Sequence, residues 1–258
     1  MDEPIYKLMS QFRYENVELY RIPDIDSADL ITYRVGNDYQ HFCWCLASYF
    51  TYWLRSVKEI GDIMYMDADL YFFNDYAPIF EEIGQKSIGI ITHRFPNDRE
   101  RKVGKYNVGI IYFKNDETGT NCLLWWKNVV MNPENPYYKT HSTCGDQKYL
   151  ELFEPLYGKG NIQVIDKIGH LAAWNIHDHT FDDDINNIYW KGVRQTLIFC
   201  HFSHFQADLS KDYYKTNYNG EWRPETVTGG KRIYDYYFEQ VKRTNEIITN
   251  TYSENGRQ

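Results

Sequence analysis

Ile63-Met64-Tyr65-Met66-Asp67-Ala68-Asp69-Leu70-Tyr71-Phe72 is the stretch whose reading decides the fold. A short apolar run, bounded by Gly61-Asp62 before it and Asn74-Asp75 after it, reads as a buried strand. Two carboxylates stand one residue apart at its end. Carboxylates are costly to bury unless a cation or donors compensate them. A hard divalent metal, which prefers carboxylate oxygens, is the simplest compensation. Ligands of open α/β sheets bind at the mouth where strands end. The residues therefore point to a metal site holding a phosphate-bearing ligand.

Outward from this strand, helical and extended patterns alternate. Pro4 opens a helix in which Ile5, Leu8, Met9 and Phe12 share a face, and Val17 to Ile22 alternates like a strand. Residues 38–57 read as a long helix burying Phe42, Leu46, Tyr49, Trp53 and Leu54. Pro78 begins a short helix ending near Gly84. Ser87 to Thr92 and Val108 to Phe113 read as strands, and Asp116 caps a helix holding Leu123, Leu124, Trp126 and Val130. A further helix begins near Gly145 and carries Tyr149, Leu152 and Phe153. Ile162 to Ile165 and Thr196 to Phe202 read as later strands, and 231–250 as a terminal amphipathic helix. This order implies a layered α/β sheet in one domain over 1–258, with long functional loops at 93–106, 132–145 and 203–230.

The 258 residues, 43% hydrophobic and 25% charged, suffice for a real core and exclude a disordered chain. Aromatics make up 17%, with 24 Tyr and 7 Trp; most fill the core or its rim, and such rings also serve sugar sites as stacking platforms. A net charge of −8 argues against nucleic-acid binding. Arg94, Arg99, Arg101, Lys102 and Lys105 cluster in one segment, read either as a solvated loop or as a lid carrying cations to a phosphate. Five cysteines, at 43, 45, 122, 144 and 200, follow no disulfide or zinc spacing. With no signal peptide or membrane-spanning run in the sequence, a cytoplasmic location is expected.

Asp-x-Asp alone is weak, since it occurs by chance in many chains, and a pair of turn-capping aspartates explains it equally well. Its surroundings, "EIGDIMYMDADLYFFNDYAPIFEEIG", resemble the Asp-x-Asp strand of GT-A nucleotide-diphospho-sugar transferases, in particular bacterial proteins related to the family of glycogenin and lipopolysaccharide galactosyltransferases. Three more blocks follow in the family's order. "KYNVGIIYFKN" (105–115) resembles its Asn-x-Gly strand, "CGDQKYLELF" (144–153) its Asp-Gln block, and "LIFCHFSHF" (197–205) its late strand with a metal-binding His. "HLAAWN" (170–175) resembles a Trp-Asn element, and the resemblance spans about residues 40–206.

The resemblance implies a GT-A fold, a mixed, mostly parallel sheet flanked by helices. It implies a metal-dependent enzyme moving a sugar from a nucleoside diphosphate, UDP above all, to a hydroxyl acceptor with retention. Asp69 and His201 would hold Mn²⁺ or Mg²⁺, and Asp67 the metal or the ribose. Asp67, Asn107, Gly109 and Asp146 would line the donor-sugar pocket. Asp146 and Gln147 would act at the reaction centre. The acceptor would be a cell-surface or lipid-linked glycan, compatible with peripheral membrane contact. Each residue also has a plainer role: His201 in the core, Asn107 and Gly109 at a turn or in packing, Asp146 and Gln147 at a helix N-terminus. Trp174 suits the core better than an acceptor platform.

Only about forty residues precede the "HFCWC" helix and Val17 to Ile22 resembles the family's second strand, so the resemblance leads to the expectation that the first nucleotide-binding strand is missing from these residues. A catalytically impaired or truncated GT-A relative acting as a carbohydrate-binding or scaffold protein is thus the principal alternative. A phosphatase of the haloacid dehalogenase class fits poorly, because Tyr71 stands where that class has Thr or Val and about sixty residues precede the motif. A zinc site from His177, His179, His201 and His204 lacks the usual Cys pairing.

Overall fold

The computed structural model describes residues 1–12, 14–95, 103–132, 145–216 and 223–255. Helix α1 (Glu3–Met9) is capped by the Asp2 side chain and buries none of its residues. Helices α2 (Ala28–Gly36) and α3 (Tyr39–Val57) follow, capped by Ser27 and Asp38. Strands β1 (Ile63–Met66) and β2 (Leu70–Phe72) come next, then α4 (Ala77–Ile83), which stops at Gly84 with φ of 57°. Strands β3 (Ile88–Thr92) and β4 (Tyr106–Phe113) precede α5 (Glu117–Val130). A 3-10 turn at Lys148–Leu152 leads into the short α6 (Phe153–Tyr157). Then come β5 (Ile162–Ile165), β6 (Gly169–Ala172), β7 (His179–Phe181), β8 (Asn187–Trp190), β9 (Val193–His201), β10 (Gln206–Asp208), β11 (Tyr213–Lys215) and α7 (Thr228–Asn255).

The expected mixed α/β class holds. One sheet has the order β1-β4-β3-β5 and a second the order β2-β9-β8-β7, with β6 also paired to β9. Mostly parallel pairing does not hold: among the described residues only β3 with β5 and β6 with β9 run parallel. The cause is connection length. β7, β8 and β9 follow one another through short turns, which force antiparallel neighbours.

Three apolar layers hold these parts together. Phe42, Cys45 and Tyr49 of α3, with Cys122, Leu123 and Trp126 of α5, pack on Ile88, Ile90, Ile111 and Phe113 of the first sheet. Its other face, through Ile91, Ile110 and Tyr112, meets Ile79 and Ile83 of α4 and Ile198 and Phe199 of β9. Beyond β9, Leu197, Cys200 and Phe202 pack against Ile233 and Tyr234 of α7. Each fully buried Leu, Ile or Phe contributes about 2 kcal/mol of transfer free energy. Arg55 ties α3 to the end of β4 by donating to the Phe113 and Lys114 carbonyls and to the Asn115 and Thr120 side chains.

Asp116 caps α5 as its sequence position predicts, accepting from Gly119 N at 2.8 Å. Other local expectations change. Residues 17–22 form no strand; Tyr20 and Ile22 instead pack on the core beside α3, and Ile22–Asp24 is a 3-10 turn. α2 appears where no helix was expected, and the helix near Gly145 is a 3-10 turn followed by α6. The terminal helix runs 228–255, longer than the 231–250 expected. Cys43, Cys45, Cys122 and Cys200 are free thiols, and Cys144 lies outside the described residues. No helix among the described residues is long and apolar enough to cross a membrane.

Candidate metal centre and cleft

The Asp-x-Asp segment is where the chain crosses from one sheet to the other. Asp67 extends the β1–β4 ladder, donating its N–H to the Gly109 carbonyl at 3.0 Å. Asp69 extends the β2–β9 ladder, accepting from Phe202 N at 2.8 Å. Leu70 lies opposite His201 in that ladder, and Ala172 opposite His201 on the other side. This register brings residues 69 and 201 together.

His201 Nε2 lies 2.9 Å from Asp69 Oδ1 and 3.6 Å from Asp67 Oδ2. Among the described residues, Asp67, Asp69 and His201 form the one group of three such side chains whose ligand atoms all lie within 4.8 Å of one another. Burial pushes the Asp67 carboxyl above its ordinary range, partly offset by His201 and by the Tyr65 hydroxyl that donates to it. Burial also opposes ionisation of Asp69, but the hydrogen bond and charge of His201 outweigh it and hold that carboxyl below its ordinary range. Two carboxylates this close repel, and a divalent cation relieves both the repulsion and the burial. The carboxylate and imidazole donors and the strained ionisation of Asp67 therefore fit a divalent metal.

These three side chains open into a cleft of about 830 Å³. Trp44 of α3 forms one wall, with Phe95 and Trp174 elsewhere on the rim. Trp174 is 8% exposed, as expected of a core residue, yet it also lines the cleft, edge-on to the His201 ring at 5.1 Å. Its indole N–H donates to the His93 carbonyl at 2.9 Å. Asp146 and Gln147 line the cleft beside the carboxylates. Asp146 is buried; burial first, and the Asp67 charge second, push its carboxyl well above the ordinary range. Its backbone carbonyl accepts from Trp126 Nε1 at 3.0 Å. Gly145, with φ of 67°, precedes it, and a Cβ there would stand 2.4 Å from the Trp44 ring. That glycine lets the Asp-Gln turn close on α3.

Asn107 and Gly109 sit on β4 where the register against β3 jumps, from Ile90 opposite Ile111 to Ile91 opposite Asn107. The bulge switches which residues face which layer: Tyr106 and Val108 face the α3 layer, whereas Ile110 and Tyr112 face the α4 layer. Gly109 is required there, because a Cβ would stand 2.5 Å from Asn107 Oδ1 and 2.9 Å from His201 Nδ1. The structure thus gathers Asp67, Asp69, Asn107, Gly109, Asp146, Gln147 and His201 into one region.

Arg94 does not belong to a phosphate-binding lid. It is 4% exposed, with φ of 53°, and its guanidinium donates to the Asp166 and Ile168 carbonyls and to Gln195 Oε1 beneath the Trp190 ring. Lys105 is exposed, and Arg99, Arg101 and Lys102 lie outside the described residues. The four-histidine zinc alternative fails: His179 is buried, bonded to the Asn175 carbonyl and stacked on Trp190, and His177 is exposed. His204 does line the cleft.

Sequence reasoning missed Tyr65, Trp44, His93 and Phe95 as parts of the cleft. Tyr65 was findable, since residues two apart on a strand share a face. Trp44 and His93 carry no local signal, because their place depends on long-range packing.

No protein-family model matches the chain. It is 29% identical over 223 residues to Uncharacterized protein YfnF of Bacillus subtilis (strain 168), covering 80% of this chain and 70% of that protein. It is 27% identical over 257 residues to Uncharacterized protein YfnD of the same organism, covering 94% and 78%. Among solved structures it is similar to a glycosyltransferase involved in glycosylation of the major capsid of PBCV-1, with TM-score 0.40 and 10% identity over 76% of this chain and 82% of that one. It is also similar to mouse xyloside xylosyltransferase 1 in its apo form, with TM-score 0.38 and 14% identity over 55% of this chain and 59% of that one.

Proposed function

We propose that the protein is a metal-dependent glycosyltransferase that moves a sugar from a nucleoside diphosphate, most simply UDP, to a hydroxyl of a glycan or lipid-linked glycan, with retention. The observation that carries this reading is the meeting of Asp67, Asp69 and His201 at the mouth of the aromatic-walled cleft. Asp67, Asp69 and His201 would hold Mn²⁺ or Mg²⁺, which when bound would neutralise charge on the departing diphosphate.

The chain's own residues do the remaining work. The Tyr65 hydroxyl orients Asp67 by donating to one of its oxygens, leaving the other directed toward His201. Asp146 lines the cleft beside the two carboxylates, where its carboxyl group would hydrogen-bond a hydroxyl of the sugar. Gln147 stands beside it as the polar group near the anomeric carbon. Trp44, Phe95 and Trp174 offer ring faces and edges to the sugar and exclude water from the cleft. Retention rests on the family resemblance of the four sequence blocks.

Isothermal titration with UDP-sugars, with and without Mn²⁺, tests the reading. Binding is expected only with the metal, and Asp69→Ala is expected to abolish that dependence while the thermal unfolding transition is kept. Metal-independent binding of glycans with no affinity for any nucleotide sugar would favour the scaffold alternative instead.

A further inference from the structure

Asn107 has two amide hydrogens and one carbonyl oxygen to spend. Its Nδ2 donates to Gln147 Oε1 at 3.0 Å and to His93 Nε2 at 3.3 Å. Its Oδ1 accepts from Gly109 N at 2.9 Å, closing the bulge of β4. The reverse amide orientation would set two donors face to face at Gly109, so the contacts themselves fix which atom is which. His93 must then accept at Nε2 and carry its proton on Nδ1. Both hydrogens of Asn107 are committed inside the protein, and the residue, although it lines the cleft, is only 5% exposed.

Gln147 is placed differently. Its Oε1 takes the Asn107 hydrogen and a second from Val108 N at 3.4 Å, and its Nε2 donates one hydrogen to the Val103 carbonyl at 2.9 Å. One N–H of Gln147 remains, on a half-buried residue that lines the cleft. Contacts to Asn107, Val108, Val103 and the His93 side chain therefore hold the Gln147 amide in one orientation, and Asn107 supplies the best-placed backbone or amide donor to its oxygen.

We propose that Asn107 is a positioning residue that acts on the transferred sugar through Gln147: it fixes the Gln147 amide so that the remaining N–H meets the sugar, and does not itself bind the sugar. This rests on the functional reading above. It replaces the sugar-contacting role the resemblance implies for Asn107 and adds His93 to the set of residues that hold the site.

The test is a double-mutant cycle read by titration in Mn²⁺, comparing UDP with UDP-glucose, UDP-galactose and UDP-N-acetylglucosamine. The quantity read is the sugar increment, the ratio of the Kd for UDP to that for the tightest UDP-sugar. Gln147→Ala is expected to lower the increment about tenfold, the scale of one lost hydrogen bond. Asn107→Ala is expected to lower it similarly, and the double variant no further than Gln147→Ala, while the affinity for UDP alone stays within about twofold. Asn107→Asp keeps the acceptor for Gly109 N but has no hydrogen for Gln147, so it is expected to lose the increment with the bulge intact. Additive losses in the double variant would overturn the proposal, because they mean Asn107 meets the sugar itself. So would an unchanged increment in Asn107→Asp. If the wild type binds neither UDP nor any of the UDP-sugars, the functional reading falls and this proposal falls with it.

Discussion

Replacing Gly109 with alanine adds one methyl group and removes no polar atom, yet it should disable the candidate metal centre. The backbone at Gly109 is not left-handed, so alanine is strained there only by its neighbours. Its Cβ would stand 2.9 Å from His201 Nδ1, about 0.5 Å short of the 3.4 Å at which ordinary contact begins. It would also stand 2.5 Å from Asn107 Oδ1, which accepts from Gly109 N. Relief must come from the Asn107 and His201 side chains, because β4 is buried along its whole length between two apolar layers. A displacement of about 0.5 Å exceeds the ~0.2 Å tolerance of a metal–ligand distance. The expected result is a Kd for Mn²⁺ raised about 10–100-fold, the scale seen when the support of a ligating histidine is lost. Overpacking should cost about 1–3 kcal/mol of stability. Titration with Mn²⁺ alone reads the first quantity and urea unfolding the second. A Gly109→Ala protein that binds Mn²⁺ as tightly as wild type would refute the reasoning, since His201 would then not be a ligand or not be held by this contact.

Arg94→Met should lower stability by about 3 kcal/mol, because it removes the donor from the buried Ile168 carbonyl and from buried Gln195 Oε1, and should leave Mn²⁺ affinity within about twofold. Weaker ligand binding at unchanged stability would return Arg94 to the site. Burial lowers the His179 imidazole to about 4, below the 6.5 of an unfolded chain. The unfolded state then binds more protons between those values, so this contribution to stability is full above about pH 6.5 and is lost as pH falls toward 4. Buried Asp146 and Asp67 carry raised values and work in the opposite direction, so the His179 part is read as the difference between wild type and His179→Gln. Unfolding free energies of the two proteins, read from urea titrations, should converge by about 2.5 kcal/mol from pH 7.5 to 4.5, and parallel curves would contradict the assignment. Asp116→Ala should cost about 1 kcal/mol through loss of the α5 cap, measurable as a lower urea midpoint with an unchanged slope.

Much of this architecture is legible in the chain because it is local. The Ile63–Met66, Ile88–Thr92, Ile162–Ile165 and Val193–His201 strands are apolar enough to stand out, and Asp38 and Asp116 mark helix starts at the expected offsets, whereas the Ser27 cap of α2 went unread. Residues 17–22 alternate as a strand should, but among the described residues no neighbouring strand is placed to pair with them, and Tyr20 instead turns edge-on to Phe50 and Trp53 of α3. Three-residue strands such as His179–Phe181 and Gln206–Asp208 are too short to leave a period.

The site residues were legible as residue types, while their meeting was not. It depends on Leu70 lying opposite His201 across more than a hundred intervening residues, a register that no local pattern encodes. The commitment of Asn107 to Gln147 and His93 depends likewise on a bulge in β4 and on the closure of the Gly145 turn against Trp44. The mostly parallel sheet was misjudged because alternating helices and strands suggest crossovers, whereas the later strands return through short turns.

The most direct measurement is anomalous diffraction at the manganese edge from crystals soaked in Mn²⁺. A single peak is expected at about 2.0–2.3 Å from a carboxylate oxygen of Asp69 and from His201 Nε2, with Asp67 beside it. Saturating Mn²⁺ with no peak between these side chains, or a peak elsewhere on the molecule, would contradict the account.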